Sequence, residues 1–552
     1  MKKLLSLVLA LLLVLSLASC AKTETPAADK PAADAPAAEA PAADDKPAAE
    51  APAADAELAP IVLSQNVLNA EKQGTHARNE FVKEKFNLTY EYIPVSWGDW
   101  NEKVRTWIAT DDAPDLIYWD LKAASSTEYF DWAKQGAFAP ITEEKISAYP
   151  NLYDFYKTSE SVAAFKVDGT LYTWPASRNN PPEIDNAYTS YFTIRKDWAE
   201  KVGLYQEDNE YTWEEWIALL TAVVEQDPAG NGASNAGLVL PTWGFPNAAV
   251  TFLNAPAAEG NETCSYIIDE ATGLYVWPAA TEEYKKAVVE TYNMYQNGLI
   301  YKDNISFTGS ESDDMFKAGL AFAAYNVAGS LNSWSDDMMR NGVIESKDAL
   351  APAVVYGMDG KWYMTQTEDY WCVTSFNHKI TDEKMDRALM FWNFLNSTEG
   401  IRLRWLGIEG VDYKVTGENP EDVEVLWEFD ETTNSYVSPY ANYEFNEANS
   451  ASLAPAGNPA EAQYQEELKQ IVWQKMAEGK ATIKKVDYAM SVFDGENKNK
   501  YGTFGSDAKE RMTQILADPN CDPAAEWDKF IEEMMPRVQP VLDELNSGLL
   551  GK

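Results

Sequence analysis

The sequence predicts an α/β fold of parallel, doubly wound sheets divided between two lobes. Three observations carry that prediction. From Pro60 onward, short apolar runs alternate with amphipathic segments, the pattern of strand–helix–strand units. The stretch from Leu58 to Lys552 is longer than one ordinary domain. Its 19 Trp, 29 Tyr and 20 Phe supply material for large cores and for aromatic binding surfaces.

The elements follow in order. Ile61-Val62-Leu63 is an apolar run suited to a buried parallel strand. Asn79 to Phe86 sets Phe81, Val82 and Phe86 near helical spacing, and Leu88, Tyr90 and Tyr92 then alternate with polar neighbours as a strand does. Asp99 to Ala109 reads as a helix with Trp100, Val104, Trp107 and Ile108 on one face. Trp97 and Trp100 fit a cleft lining and a staple at that helix start equally well. Leu116-Ile117-Tyr118-Trp119 is a further buried strand. Val167 to Tyr172 reads as two short strands turning at Asp168-Gly169. Ala187 to Ile194 predicts one aromatic, β-branched strand, and Arg195-Lys196-Asp197-Trp198 opens a helix that stops at Gly203. Thr212 with Glu215 three residues on predicts a capping box for a helix reaching Gln226. Thr281 to Asn297, Thr381 to Leu395 and Trp527 to Leu545 predict amphipathic helices. Ligands of doubly wound sheets bind beyond the carboxyl ends of strands, which points at the loops after Leu63 and Trp119.

Ahead of these elements lies a leader. Lys2 and Lys3 precede an apolar run from Leu4 to Leu17, then Ala18, Ser19 and Cys20. That order reads as a secretory signal over residues 1–19, with an apolar run short of a membrane span. Leu17-Ala18-Ser19-Cys20 resembles the bacterial lipobox, which implies lipidation of Cys20 and a protein anchored on the outer side of the cell membrane. Residues 20–57 are mostly Ala and Pro with scattered charge. Such a segment buries no core and predicts a disordered tether, able to hold a domain on the order of 100 Å from the membrane.

Composition excludes several functions. Lys and Arg number 45 against 87 Asp and Glu, a net charge of −42, which opposes nucleic acid and anionic surfaces. Cys264, Cys372 and Cys521 leave room for at most one internal disulfide. His76 and His378 are the only histidines and have no Cys or Glu at metal-ligand spacing, so neither a zinc site nor a Ser-His-Asp site is expected. Paired carboxylates remain available by number alone. A secreted hydrolase or lyase acting on carbohydrate with two carboxylates therefore stands as the rival to a binding protein.

The order of motifs resembles the extracellular solute-binding lipoproteins of ABC importers, family 1-like, in the large branch related to oligosaccharide and alginate-fragment binders. The matching stations include Ala113-Pro114-Asp115-Leu116-Ile117-Tyr118-Trp119, Gln135 to Ile141, Asp168 to Tyr172, and Ile194 to Trp198 with Gly203-Leu204. They continue through Tyr295 to Ile300, Phe316-Lys317-Ala318-Gly319, Asn396 to Gly400 and Gly407 to Val411. The resemblance implies a two-lobed periplasmic-binding-protein-like fold of type II, with hinge crossovers, a ligand cleft between the lobes and closure on binding. Residues 58–180 with 366–405 are expected as lobe 1, and 181–365 with 406–552 as lobe 2. It further implies a monomeric, non-enzymatic receptor that delivers a small solute, an oligosaccharide above all, to permease subunits. A co-receptor that presents ligand to a sensor is the same sequence pattern put to another use.

Sugar binding asks for aromatic faces and a few placed polar groups. The candidates at strand-end loops are Trp119 and Asp120, Trp174 and Arg178, Trp243, Tyr325, Asn326, Trp334, Tyr370 and Trp371. Trp198, Trp213, Trp216 and Trp392 sit at helical spacing and are expected in cores. Relatives of this branch carry a calcium loop where this chain has Asp227 to Asn235. Here Asp227, Asn231 and Asn235 persist, but Ala229 and Ala236 replace oxygen donors. Calcium takes six to eight oxygens, so a degenerate turn without metal, and no cofactor, is expected.

Overall fold

The computed structural model describes residues 58–552 apart from 69, 71–72, 122–126, 177–186, 189, 233–234, 243–244, 246–265, 270, 328–329, 367–368, 418–421, 441–443, 448–469, 485–492, 494, 502–503 and 551–552. The chain enters through β1 (Ile61–Val67), α1 (Ala77–Phe86), β2 (Leu88–Pro94), α2 (Trp100–Thr110), β3 (Leu116–Trp119) and β4 (Trp174–Ala176). It crosses through β5 (Ala187–Tyr188) into β6 (Ser190–Arg195), β7 (Glu210–Tyr211), α3 (Trp213–Gln226), β8 (Ala236–Val239) and α4 (Glu282–Gln296). There follow α5 (Glu311–Lys317), β9 (Ala321–Val327), α6 (Ser330–Arg340) and β10 (Leu350–Val355). The chain returns through β11 (Trp362–Gln366) to β12 (Cys372–Phe376), α7 (Asp382–Leu395) and α8 (Thr398–Trp405). Two hairpins, β13 (Tyr413–Val415) with β14 (Val423–Val425) and β15 (Glu428–Asp430) with β16 (Ser435–Val437), precede β17 (Ala481–Lys484), α9 (Gly505–Ala517) and α10 (Pro523–Leu550).

Two five-stranded sheets organise these elements, one per lobe, in the orders β2-β1-β3-β12-β4 and β8-β9-β6-β10-β7. Both are mixed rather than purely parallel. In the first, β1 runs parallel to β2 and β3, while β12 runs antiparallel to β3 and β4. In the second, β6 opposes both β9 and β10. One reversed strand in each sheet follows from the crossovers. The strand that arrives from the other lobe enters against its neighbours.

The predicted strand over Ala187 to Ile194 is divided. Ala187 and Tyr188 pair with Gln366 and Thr365 in a small crossing sheet of order β17-β11-β5, whereas Ser190 onward pairs with β9 and β10. Elsewhere the local reading is accurate. Thr212 and Glu215 form the reciprocal capping box of α3. Trp198, Trp216 and Trp392 are buried in the cores as their spacing indicates.

Residues 406–447 were expected with lobe 2, yet much of this excursion packs on lobe 1. Phe445 lies in the first core against Phe391, at 5.1 Å between ring centroids. The Arg78 guanidinium donates to the Glu444 carboxylate at 2.6 Å with both side chains fully buried, and lies 3.8 Å over the Tyr440 ring. Glu447 accepts from Thr374 and Gln65. Helices α9 and α10, by contrast, pack in the second core through Met512, Trp527 and Val538.

Candidate functional site

The first wall is built at the carboxyl ends of β1, β2 and β3. The Asp99 carboxylate accepts from Ser96 N at 2.7 Å and Ser96 Oγ at 2.8 Å, which tightens the turn before α2. That turn presents Trp97 with 52% of its surface exposed. Behind it lie Trp100 and Trp371, at 6.0 and 5.9 Å from Trp97 between ring centroids. Trp100 is itself locked, since its Nε1 donates to the Tyr118 carbonyl at 2.7 Å. Asn101, on the next residue of α2, grips the Asp120 backbone in both directions, accepting from its N at 3.2 Å and donating to its O at 3.0 Å. An exposed indole on a rigid aromatic base, beside a held carboxylate-bearing loop, is a stacking platform with a polar rim.

The second wall stands at the carboxyl ends of β8 and β9. Buried Asn304 pins the end of β8, accepting from Leu240 N and donating to Leu240 O, each at 2.9 Å. Thr242 then donates to the Gly309 carbonyl at 3.2 Å. Asn326, at the end of β9, donates to both oxygens of Asp313 at 3.1 and 3.2 Å. Burial pushes the Asp313 carboxyl above the usual carboxylate range. Glu311 is pulled the other way by backbone N–H groups, its own first and then those of Thr308 and Gly309.

The two walls approach each other at Gly98. A methyl carbon added to Gly98 would lie 3.3 Å from the Thr308 carbonyl oxygen. Trp97 therefore sits where the lobes approach each other.

The sequence-predicted residues divide sharply. Asp120 and Trp371 are on the first wall and Asn326 on the second, all half-buried. Tyr325 is half-buried against Phe192, at 5.3 Å between rings. Trp119, Trp174, Trp334 and Tyr370 are packing residues instead. Trp119 is 3% exposed among Trp132, Phe138 and Tyr129. Trp174 stacks on Trp392, Trp334 packs at a tilt against Phe316, and the Tyr370 hydroxyl donates to the Leu121 carbonyl. Trp119 and Trp174 lie on β3 and β4, which are buried at every position, so each of their side chains enters a core. Arg178, Trp243 and Cys20 lie outside the described residues. Trp97 was legible only as an ambiguous neighbour of a helix start. Asp313 had no signal of its own in the sequence.

At the calcium-loop position, the Asp227 carboxylate accepts from Asn231 N at 2.9 Å and Gly232 N at 2.7 Å. Asn231 and Asn235 turn their amide nitrogens to the carbonyls of Gly319 and Val223. These donors leave one carboxylate, already engaged, for a cation that favours several. Among the described residues no group of three or more His, Cys, Asp or Glu is placed to hold a metal, and no described helix is long and apolar enough to cross a membrane.

A family model described as bacterial extracellular solute-binding protein matches residues 69–363. Solved structures with the same fold include the alginate-binding protein AlgQ2 without calcium ion, at 16% identity and TM-score 0.63 over 88% of this chain and 97% of that one. The S. pneumoniae ABC-transporter substrate-binding protein FusA in complex with kestose matches at 17% identity and TM-score 0.59, over 88% and 98%. The ABC-transporter-associated HMO-binding solute-binding protein of Bifidobacterium longum infantis matches at 16% identity and TM-score 0.58, over 88% and 98%. Among curated proteins no sequence match was found.

Proposed function

This chain belongs to the bacterial extracellular solute-binding proteins, and from that membership we propose that it captures an uncharged oligosaccharide between its lobes for an ABC permease. The observation that carries the reading is Trp97, an exposed indole at the strand ends where the lobes approach. Sugar rings offer C–H faces to such a surface, and their hydroxyls need acceptors of the kind Asp313 and Asp120 provide. The relatives with kestose and HMO as named ligands support a sugar. The carboxylates on both walls favour a neutral one, because an acidic sugar would bring a second negative charge into a partly buried site.

Membership in this family makes the protein a binding protein, with no chemical step assigned to it. Anchoring through a lipid on Cys20, with residues 21–57 as the tether, would keep the receptor beside its permease as a monomer. A thermal-shift screen tests the ligand: neutral oligosaccharides raise the melting temperature and oligouronates do not. Stabilisation by uronates alone would overturn the neutral-sugar reading, and release of shorter sugars during incubation would overturn the receptor.

A further inference from the structure

We propose that the hairpin strands β13–β14 and β15–β16 form a strap between the lobes, rooted in lobe 1 and latched onto α6 of lobe 2. The root is built like a core. Leu406 and Tyr413 are buried together with Ile401 and Trp405 packed against them. The Trp427 Nε1 donates to the Leu406 carbonyl at 3.1 Å, and Leu426 N donates to the Asp412 carbonyl at 2.8 Å. Asp412 in turn lies 3.4 Å from His76 at the start of α1. The root therefore moves with the first sheet.

The tip reaches the other lobe. Helix α6 belongs to lobe 2, since Leu331, Trp334 and Met338 are buried with strand residues Ala236, Ala321 and Leu350. Arg340 Nε on that helix donates to Asp430 at 2.8 Å, and Ser435 Oγ donates to Asp336 at 2.9 Å. Asp336 and Arg340 are four residues apart and share one helix face. Thr433 and Ser435 at the bend are buried, so the tip is docked rather than touching by a single exposed pair. Lys347 also meets Asp336, at 2.6 Å, and fixes its carboxylate.

A contact that joins the lobes outside the hinge strands adds to the stability of one lobe arrangement over others. In this structure it coexists with the Gly98–Thr308 approach, so the strap favours the approached state. It acts without ligand, and its test needs none.

Charge reversals D430R and R340D, and the double variant carrying both, isolate the latch. Small-angle scattering on the unliganded protein is expected to give a larger radius of gyration for each single reversal and the parental radius for the double variant. An exposed pair of this kind shifts such an equilibrium by up to about 5-fold. S435A, which removes only a hydroxyl, is expected to shift the radius in the same direction, and unchanged near-ultraviolet circular dichroism identifies folded variants. Parental radii in the folded single reversals and in S435A would overturn the strap, as would a double variant as expanded as the singles. Failure of every sugar to bind would leave these outcomes untouched, which separates the strap from the oligosaccharide reading.

Discussion

Trp97 and Trp119 occupy the same lobe, and water decides their roles. Trp119 fills a core, so Trp119→Ala is expected to cost about 3–5 kcal/mol of stability, read by denaturant unfolding. Trp97→Ala leaves the core intact. It should weaken ligand binding about tenfold with little change in melting temperature, since one aromatic contact is worth roughly 0.5–1.5 kcal/mol. The sequence could not separate the two. Leu116 to Trp119 is buried at every position, so no alternation marks which residue leaves the core. Glu447 gives a residue-scale prediction in pH. Burial raises its carboxyl above the usual range, so the folded state holds the proton more tightly than the unfolded one. Its favourable contribution is present below the unfolded value and is lost as pH rises through the folded value. Glu447→Gln keeps an acceptor for Thr374 and Gln65. Its melting temperature should exceed the parent's at pH 7, with the gap closing toward pH 4; a gap that widens in acid would contradict this sign.

Elements were legible where a local rule suffices. Thr212 caps α3 because its hydroxyl and the Glu215 carboxylate satisfy reciprocal backbone donors, a pattern contained within four residues. The division of Ala187–Tyr188 from Ser190–Arg195 was not legible, because strand propensity does not report which sheet a strand joins. Nor was the packing of Tyr440, Glu444, Phe445 and Glu447 on lobe 1, which depends on partners as distant as Gln65 and Arg78. At the Asp227 turn, one carboxylate takes two backbone donors without a cation. A chelator is therefore expected to leave the melting temperature unchanged, while Asp227→Ala should cost about 1 kcal/mol, as loss of a comparable side-chain cap does. A fall of several degrees on chelation would mean that the loop holds calcium.

At the scale of the whole molecule, each lobe has its own sheet and core, and the candidate site draws on the strand ends of both. Its two-lobed plan was legible because turn-and-strand stations recur in order along the chain. The walls were only partly so, because Trp97 and Asp313 become neighbours of a cleft through lobe placement alone. A ligand gripped by both lobes stabilises the pair together. At 100 times its dissociation constant it should add about 2.7 kcal/mol, and scattering should report a smaller particle. Stabilisation without contraction would place the ligand on one lobe.

Arg78 and Glu444 stand 366 residues apart, which has a consequence for how this chain comes to fold. Lobe 1 receives its first strands early in synthesis, but the carboxylate that neutralises Arg78 arrives only at residue 444 of 552. Until then, closing that lobe would strand a guanidinium away from water, a defect worth about 3–5 kcal/mol. Early collapse is thereby discouraged, and contacts of such long range slow folding further. The pair thus ties completion of the first lobe's core to a side chain at position 444 of 552.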